Sequence, residues 1–143
     1  MKTIRTKPFE GESIVKKLAE FPSVLFLTRD LRCVGPPEQK TKFILATISS
    51  GQDKKLIFCS VEKWNYHQNV LNTLREKIKE AELTVIVSPA GGGMIISNTT
   101  SKRIVIGDYS RSFGNFDADI ACKLLREALP DWKIQAIVGT LKK

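Results

Sequence analysis

Three short runs of β-branched and apolar residues precede the first long amphipathic segment of this 143-residue chain. They cover Ser23–Thr28, Lys42–Ser49 and Lys55–Ser60, and segments rich in glycine, proline and polar residues separate them, as is typical of β-strands joined by turns. The next segment, Asn65–Glu82, places its apolar side chains on one stripe at helical spacing. This order of elements predicts a sheet with helices packed against it.

The second half of the chain contains further strand and helix patterns. The predicted elements are a strand at Leu83–Ser88, a hairpin of Met94–Ser97 and Arg103–Asp108, a helix from Asp117 to Pro130, and a strand at Lys133–Val138. Gly91–Gly93 is expected to interrupt the sheet ahead of the hairpin. Together these elements predict an α/β (α+β) fold, a single domain with a mixed sheet of about six strands and two main helices.

The first twenty residues form an extension to this pattern. Behind Ser13, a possible N-cap, apolar residues recur at helical spacing from Ile14 to Phe21, which predicts a short amphipathic helix packed on the main body. We therefore divide the chain into an N-terminal extension, residues 1–20, and a domain, residues 21–143. A chain of this length is expected to bury one core.

Several classes of protein are disfavoured by composition. No apolar stretch approaches the roughly 18 residues that a membrane-spanning helix needs, so we expect no membrane partner. No apolar stretch follows the basic residues near Met1 either, so we expect a cytoplasmic protein. We also expect the protein to be a monomer. Cys33, Cys59 and Cys122 are odd in number and widely spaced, which predicts reduced thiols and neither a metal site nor a cofactor.

The net charge is +8, from 23 basic and 15 acidic residues. A net positive charge of this size attracts anions, including phosphate and nucleic acid. The alternative is that the surplus basic residues are simply solvated on the surface. Binding to nucleic acid ranks last, because the basic residues are scattered rather than clustered with aromatic residues.

His67 is the only histidine of the chain. It lies in the first turn of the predicted helix, which Asn65 and Gln68 would cap as a capping-box pair. Free amides and the positive end of the helix dipole favour anions there and disfavour protonation, so the pKa of the ring should fall below about 6.5. A neutral imidazole could act as nucleophile or base, whereas a capping histidine without chemistry is the alternative.

Three other features could contribute to an anion site. Lys42 could supply a point charge for phosphate at the start of a strand, or be merely solvated. Gly91–Gly93 allows a close backbone approach or a tight turn, and it is not a P-loop because no Gly-Lys-Ser/Thr follows. The loop Asp108–Gly114 offers hydroxyls, a guanidinium and backbone amides, and so predicts an oxyanion cradle.

These features, taken in order, resemble a known family. The matching segments are Lys42–Leu45, Trp64–His67, Gly91–Gly93 with Ile95, Lys102 with Ile104, Tyr109–Gly114 and Leu129–Ile134. From about Phe21 to Val138 the chain is thereby similar to the Janus/Ocnus family, which includes the phosphohistidine phosphatases.

The resemblance implies a metal-independent phosphatase that removes phosphate from phosphohistidine in proteins. His67 would be the catalytic residue, as nucleophile or general base. The residues implied to bind the phosphorylated substrate are Lys42, Tyr66, Gln68, Ser110, Arg111 and Ser112.

The chain departs from that family at two positions. Met94 and Cys59 stand where relatives often have arginine, and Arg111 could restore one of the two missing charges. The alternative function is therefore a catalytically weak or inactive relative that binds phosphate or a phosphoprotein.

Overall fold

The computed structural model describes residues 15–137. Its strands and long helices are β1 (Val24–Leu27), β2 (Thr41–Ser50), β3 (Asp53–Val61), α2 (His67–Glu80), β4 (Ile86–Asn98), β5 (Arg103–Gly107), α3 (Ala118–Ala128) and β6 (Lys133–Ala136). Residues 15–20 form a further helix, α1. The predicted class, a mixed sheet with helices packed on it, is confirmed.

The six strands form one sheet in the order β1-β3-β2-β4-β5-β6. The two outer pairs, β1 with β3 and β5 with β6, are parallel. The central pairs, β3 with β2, β2 with β4 and β4 with β5, are antiparallel. The two central strands β2 and β4 therefore bring residues from distant parts of the sequence side by side.

Helices cover both faces of the sheet, so that consecutive residues of the central strands are buried. In β2, Ile44 packs in the cluster formed with α1 and α2, whereas Phe43 and Leu45 pack in the cluster formed with α3. All three side chains are at most 1% exposed. Continuous burial of this kind is expected for a strand with both faces covered, and it explains why β2 reads as an apolar run rather than as a strict alternation.

The prediction that Gly91–Gly93 interrupts the sheet is wrong. The triplet lies inside β4, a single strand of 13 residues that joins the two segments predicted as separate strands. The register with β2 shifts there, since Ile44 pairs with Gly92 but Ala46 pairs with Pro89. One extra residue of β4 is accommodated as a β-bulge, and Gly91 adopts a φ of +117°, which an L side chain rarely allows.

The N-terminal helix packs on the domain as predicted, within the residues described. Leu18 of α1 and Phe21 beyond it are buried in the cluster with α2. The ammonium of Lys55 donates to the main-chain oxygens of Leu18 (3.2 Å), Ala19 (2.9 Å) and Phe21, and so satisfies carbonyls at the end of α1. The cap predicted at Ser13 lies outside the described residues.

Two further findings concern the ends of elements. The predicted last strand extends to Ala136, and its expected final residue, Val138, lies outside the described residues. Within residues 15–137, no helix is both long enough and apolar enough to cross a lipid bilayer.

Candidate functional site

A cavity of about 480 Å³ opens where the first turn of α2 meets β2, β4 and the loop after β5. The residues that line it are Lys40, Lys42, Asn65, Tyr66, His67, Met94, Asp108, Tyr109, Arg111 and Ser112. They are up to 72 positions apart in sequence, and the adjacency of β2 and β4 brings them together. The cavity contains the only histidine of the chain.

His67 is the first residue of α2, and the predicted capping box does not form. Tyr66 is the N-cap and makes no side-chain cap hydrogen bond. The Gln68 amide instead donates to Asn72 Oδ1 (3.0 Å), one turn along the helix and away from the cavity. The N-terminal turn of α2 thus has no side-chain acceptor and no acidic residue, and the positive end of its dipole is not neutralised locally.

The ring of His67 is held in one orientation. The side chain is 7% exposed, and Nε2 lies 2.9 Å from the carbonyl oxygen of Gly93. Because a carbonyl can only accept, Nε2 carries the proton and donates it. In the neutral ring the lone pair then belongs to Nδ1. The Cδ2 atom of the ring faces Gly92, and Nδ1 is on the opposite side of the ring.

The surroundings of His67 keep the ring neutral. Burial lowers its pKa from the usual value of 6.5, and the positive charge of Lys42 lowers it further, against the opposing effect of the Gly93 hydrogen bond. This agrees with the direction expected from the sequence, but the larger cause is desolvation rather than a charge. At neutral pH, Nδ1 is therefore available to accept a proton or to attack an electrophile.

The glycine triplet makes room for this arrangement. A Cβ on Gly92 would lie 2.9 Å from Cδ2 of His67 and 3.2 Å from Cβ of Ser110, and 2.8 Å from the carbonyl oxygen of Phe43. The amide of Gly92 donates to the carbonyl of Gly114 (3.2 Å). The bulge in β4 therefore presents one backbone group to the loop after β5 and another, the Gly93 carbonyl, to His67.

The loop predicted as an oxyanion cradle is closed by its own hydrogen bonds. Ser110 and Gly114 exchange two main-chain bonds (3.2 and 2.8 Å), and the amide of Phe113 donates to Ser110 Oγ (3.0 Å). The amides of Arg111 and Ser112, at the tip of the loop, form no hydrogen bond within residues 15–137, and both residues line the cavity. The loop thus uses the amides of Ser110, Phe113 and Gly114 for its own closure, whereas those of its tip are available at the cavity.

The charges around the cavity are predominantly positive. Lys42 and Arg111 line it, and Lys40 pairs with Asp108 at 3.6 Å. The ammonium of Lys42 lies 3.9 Å from the sulfur of Met94, a contact that keeps the amine beside β4 without neutralising it. Asp108 adopts a φ of 62°, a conformation that is uncommon for a residue other than glycine.

The predicted site residues divide into two groups. Lys42, Tyr66, His67, Arg111 and Ser112 line the cavity. Ser110 is 1% exposed and fixes the loop from behind the cavity wall. Gln68, as described above, is directed along α2.

Besides Met94, which the sequence analysis noted as a departure from the family pattern, four cavity residues were not predicted as site residues, namely Lys40, Asn65, Asp108 and Tyr109. Each of these four residues is one or two positions from a predicted site residue. Closeness in sequence to a predicted residue was therefore the signal that could have identified them. No pattern in the sequence indicates the ion pair of Lys40 with Asp108, because it joins two segments 68 positions apart.

The two departures from the family pattern have different surroundings. Met94 lines the cavity, whereas Cys59 is fully buried in the cluster with α2, where burial raises the pKa of its thiol. Only the change at Met94 therefore alters the charge of the cavity wall. Among the described residues, no group of three histidine, cysteine or acidic side chains is placed to hold a metal ion.

Comparison with protein families assigns the chain to one of them. The model of the Janus/Ocnus family matches residues 34–133, more than half of the sequence. The chain belongs to the Janus/Ocnus family. All ten cavity residues lie within the part that matches the Janus/Ocnus model, whereas α1 and β1 precede it. No curated protein matches the sequence significantly.

Proposed function

We propose that this Janus/Ocnus protein is a protein phosphohistidine phosphatase that acts without a metal. The observation that carries the proposal is the state of His67, a buried ring whose Nε2 donates to Gly93 and whose pKa is lowered by burial and by the charge of Lys42, so that Nδ1 keeps its lone pair. A neutral imidazole fixed in this way can act on phosphorus, and the resemblance noted in the sequence implies the same role.

The groups around His67 suit a phosphoryl group. Lys42 and Arg111 supply two positive charges, and the tip amides of Arg111 and Ser112 supply donors. In phosphoryl transfer, charge spreads over the equatorial oxygens, and catalysis consists largely of positioning and electrostatic stabilisation. Fixed donors and cations of this kind perform both tasks.

His67 can act by either of two routes. As nucleophile, Nδ1 bonds to phosphorus while the P–N bond of the substrate breaks, and the departing imidazole nitrogen keeps the electron pair and takes a proton from solvent. Water then hydrolyses the phosphorylated His67. As general base, Nδ1 takes one proton from water as its oxygen bonds to phosphorus, and that proton passes to the departing nitrogen.

The rim of the cavity suits an aromatic leaving group. The chain has two tyrosines, Tyr66 and Tyr109, and both line the cavity. Their side chains are 70% and 54% exposed, so that their rings are available to a ligand. The planar imidazole of a phosphohistidine can stack on these rings, a contact that the aliphatic side chain of phospholysine does not form.

The proposal is tested by phosphate release from a phosphohistidine peptide in the presence of a metal chelator. We expect the full-length protein to release phosphate at a rate well above spontaneous hydrolysis, and to release none from the matching phosphoserine peptide. A rate equal to the spontaneous rate at every protein concentration would refute the proposal.

Met94 favours a second candidate, a relative that binds phosphate without turning it over. It places a neutral side chain on a cavity wall where the family often has an arginine. This candidate predicts saturable binding of inorganic phosphate, measured by calorimetry, together with no phosphate release. Replacing Met94→Arg would then be expected to restore turnover.

The protonation of His67 provides a test that does not require substrate. Because the chain has one histidine, its proton NMR spectrum contains a single imidazole Cε1–H resonance. We expect this resonance to titrate with a midpoint below 6.5, since burial and Lys42 both lower the pKa of His67. Lys42→Met removes one of these causes and should raise the midpoint. A wild-type midpoint above 6.5, or one that Lys42→Met leaves unchanged, would contradict the described electrostatics.

A further inference from the structure

A second cavity, of about 490 Å³, adjoins the first. Two residues, Lys40 and Asn65, line both. The other walls of the second cavity, here called the flanking groove, are the segment from Val34 to Thr41 and the segment from Glu62 to Trp64. A polypeptide that presents a phosphorylated side chain to His67 must pass over the surface around the first cavity, and the flanking groove lies on that surface, next to Lys40 and Asn65.

The walls of the flanking groove are fixed by contacts outside it. Ser97 Oγ of β4 donates to the carbonyl of Pro37, and Lys40 is paired with Asp108. On the opposite wall, the indole Nε1 of Trp64 donates to Thr73 Oγ1 (2.7 Å). A preformed recess loses little conformational entropy when a ligand enters, which favours binding.

Trp64 gives the flanking groove an apolar wall. Trp64 also lines a third cavity, and the guanidinium of Arg29 lies 4.4 Å from the centre of its ring. Arg29 does not line the flanking groove. Pro36 and Pro37 complete an apolar surface along which the methylene groups of a long side chain can pack.

The charges of the flanking groove differ from those of the first cavity. Glu38 and Glu62 lie on its two walls, and neither carboxylate forms an ion pair with another residue in the described range. Of its two lysines, Lys40 is paired with Asp108 and the other is Lys63. With Lys40 paired to Asp108, the two carboxylates outnumber the one remaining lysine, Lys63, so the recess carries a net negative charge and complements a basic side chain in a chain of net charge +8.

We infer that the flanking groove binds a lysine or arginine side chain near the phosphohistidine of the substrate polypeptide. This inference rests on the proposed function and adds a sequence preference to it. The aliphatic part of the basic side chain packs against Trp64 and Pro37, and its charge meets Glu38 and Glu62. An extended chain advances roughly 3.3 to 3.6 Å per residue, so a basic residue two to four positions from the phosphohistidine lies roughly 7 to 14 Å from it along the chain, which is the range to be scanned.

The experiment compares three substrates. One peptide carries phosphohistidine with a single arginine two to four residues away, scanned on both sides, and a second has norleucine in place of the arginine. The third is N-acetyl phosphohistidine methylamide, which has no flanking residues. For the wild-type protein we expect kcat/KM to be about fivefold higher for the best arginine peptide than for its norleucine counterpart, mainly through KM, because a rim charge pair contributes about 1 kcal/mol.

The double variant Glu38→Gln, Glu62→Gln is expected to remove this preference and to leave kcat/KM for the methylamide unchanged. Its matched control is Glu20→Gln, Glu127→Gln, which changes the net charge equally at two exposed positions outside both cavities and should retain the preference.

The outcomes separate this inference from the proposed function. Equal kcat/KM for the arginine and norleucine peptides in the wild type, or an undiminished preference in the glutamine variant, would overturn the inference while the phosphatase proposal stands. An equal loss of preference in the control variant would overturn it too, since net charge would then account for the effect. Absence of phosphate release from all three substrates would overturn both.

Discussion

Replacing His67→Ala is expected to reduce phosphate release from a phosphohistidine peptide by about 10³-fold or more. The substitution removes Nδ1, the atom that either attacks phosphorus or activates water, and a positioned base alone contributes about 10² to 10⁴ in rate. The cations and amides of the cavity remain, so residual catalysis by electrostatic stabilisation is expected. Single-turnover phosphate release, corrected for spontaneous hydrolysis, measures the effect.

His67→Gln provides a closer variant for the same experiment. The glutamine amide can donate to the Gly93 carbonyl, as Nε2 does in the wild type, but it offers no basic nitrogen. We expect it to be as inactive as the alanine variant and to unfold at nearly the wild-type temperature. Retention of wild-type turnover by either variant would exclude His67 as the reacting group.

Gln68→Ala is the matched control on the same helical turn. Its side chain bonds to Asn72 and does not line the cavity, so the variant should keep turnover within about twofold of the wild type. If Gln68→Ala lost activity as His67→Ala does, the assignment of Gln68 to the substrate by family resemblance would be supported over the orientation described.

Rapid quenching at alkaline pH, which preserves phosphohistidine, tests separately for a phosphorylated His67.

Much of the fold was predictable because local pattern and burial agree. The apolar stripe of α2 and the apolar runs of β2 and β3 are patterns formed by residues close together in the sequence, so they can be recognised without the structure. The position of His67 at the start of α2 follows from the same pattern. The direction of the pKa shift of His67 was predicted from this position at the helix start. Its largest cause, desolvation by burial, was not foreseeable from the helix alone.

The errors arise where distant backbone groups decide the structure. A glycine triplet ends many strands, but here β2 pairs with Gly92 and Gly93, the carbonyl of Gly114 accepts from the amide of Gly92, and a bulge absorbs the irregularity. The capping box failed for a similar reason. Tyr66 adopts the extended N-cap conformation, one residue beyond Asn65, and this places His67 against Gly93.

The predicted cradle shows what composition alone omits. Counting hydroxyls and amides in the loop after β5 identifies possible donors, but Ser110 and Gly114 use theirs to close the loop. Which amides stay available to a ligand depends on a network of main-chain hydrogen bonds that includes Gly92 of β4. No local sequence pattern reveals that network. Of the loop residues that the family resemblance implies, the structure places Arg111 and Ser112 on the cavity wall and Ser110 at the buried base of the loop.

Gly93→Ala is expected to destabilise the protein by about 3 kcal/mol, at the upper end of the range for overpacking a well-packed core. A Cβ at this position would lie 2.3 Å from the carbonyl oxygen of Gly107 and 2.8 Å from the Phe116 ring. The first contact is with backbone of the paired strand β5, which no rotamer change can relieve. Phe116 is itself held edge-on against Phe43, with 4.9 Å between the ring centroids.

Urea denaturation followed by circular dichroism measures this effect. With a slope of about 1.5 to 2 kcal/mol per molar, the midpoint should fall by roughly 1.5 to 2 M. Gly35→Ala is the matched control, since a Cβ there meets no atom within 4 Å and its φ is not in the left-handed region. It should leave stability unchanged or raise it slightly, because alanine restricts the unfolded chain. Equal midpoints for the two variants would mean that β4 and β5 separate easily at Gly93, which is incompatible with the close packing that fixes His67 against the Gly93 carbonyl.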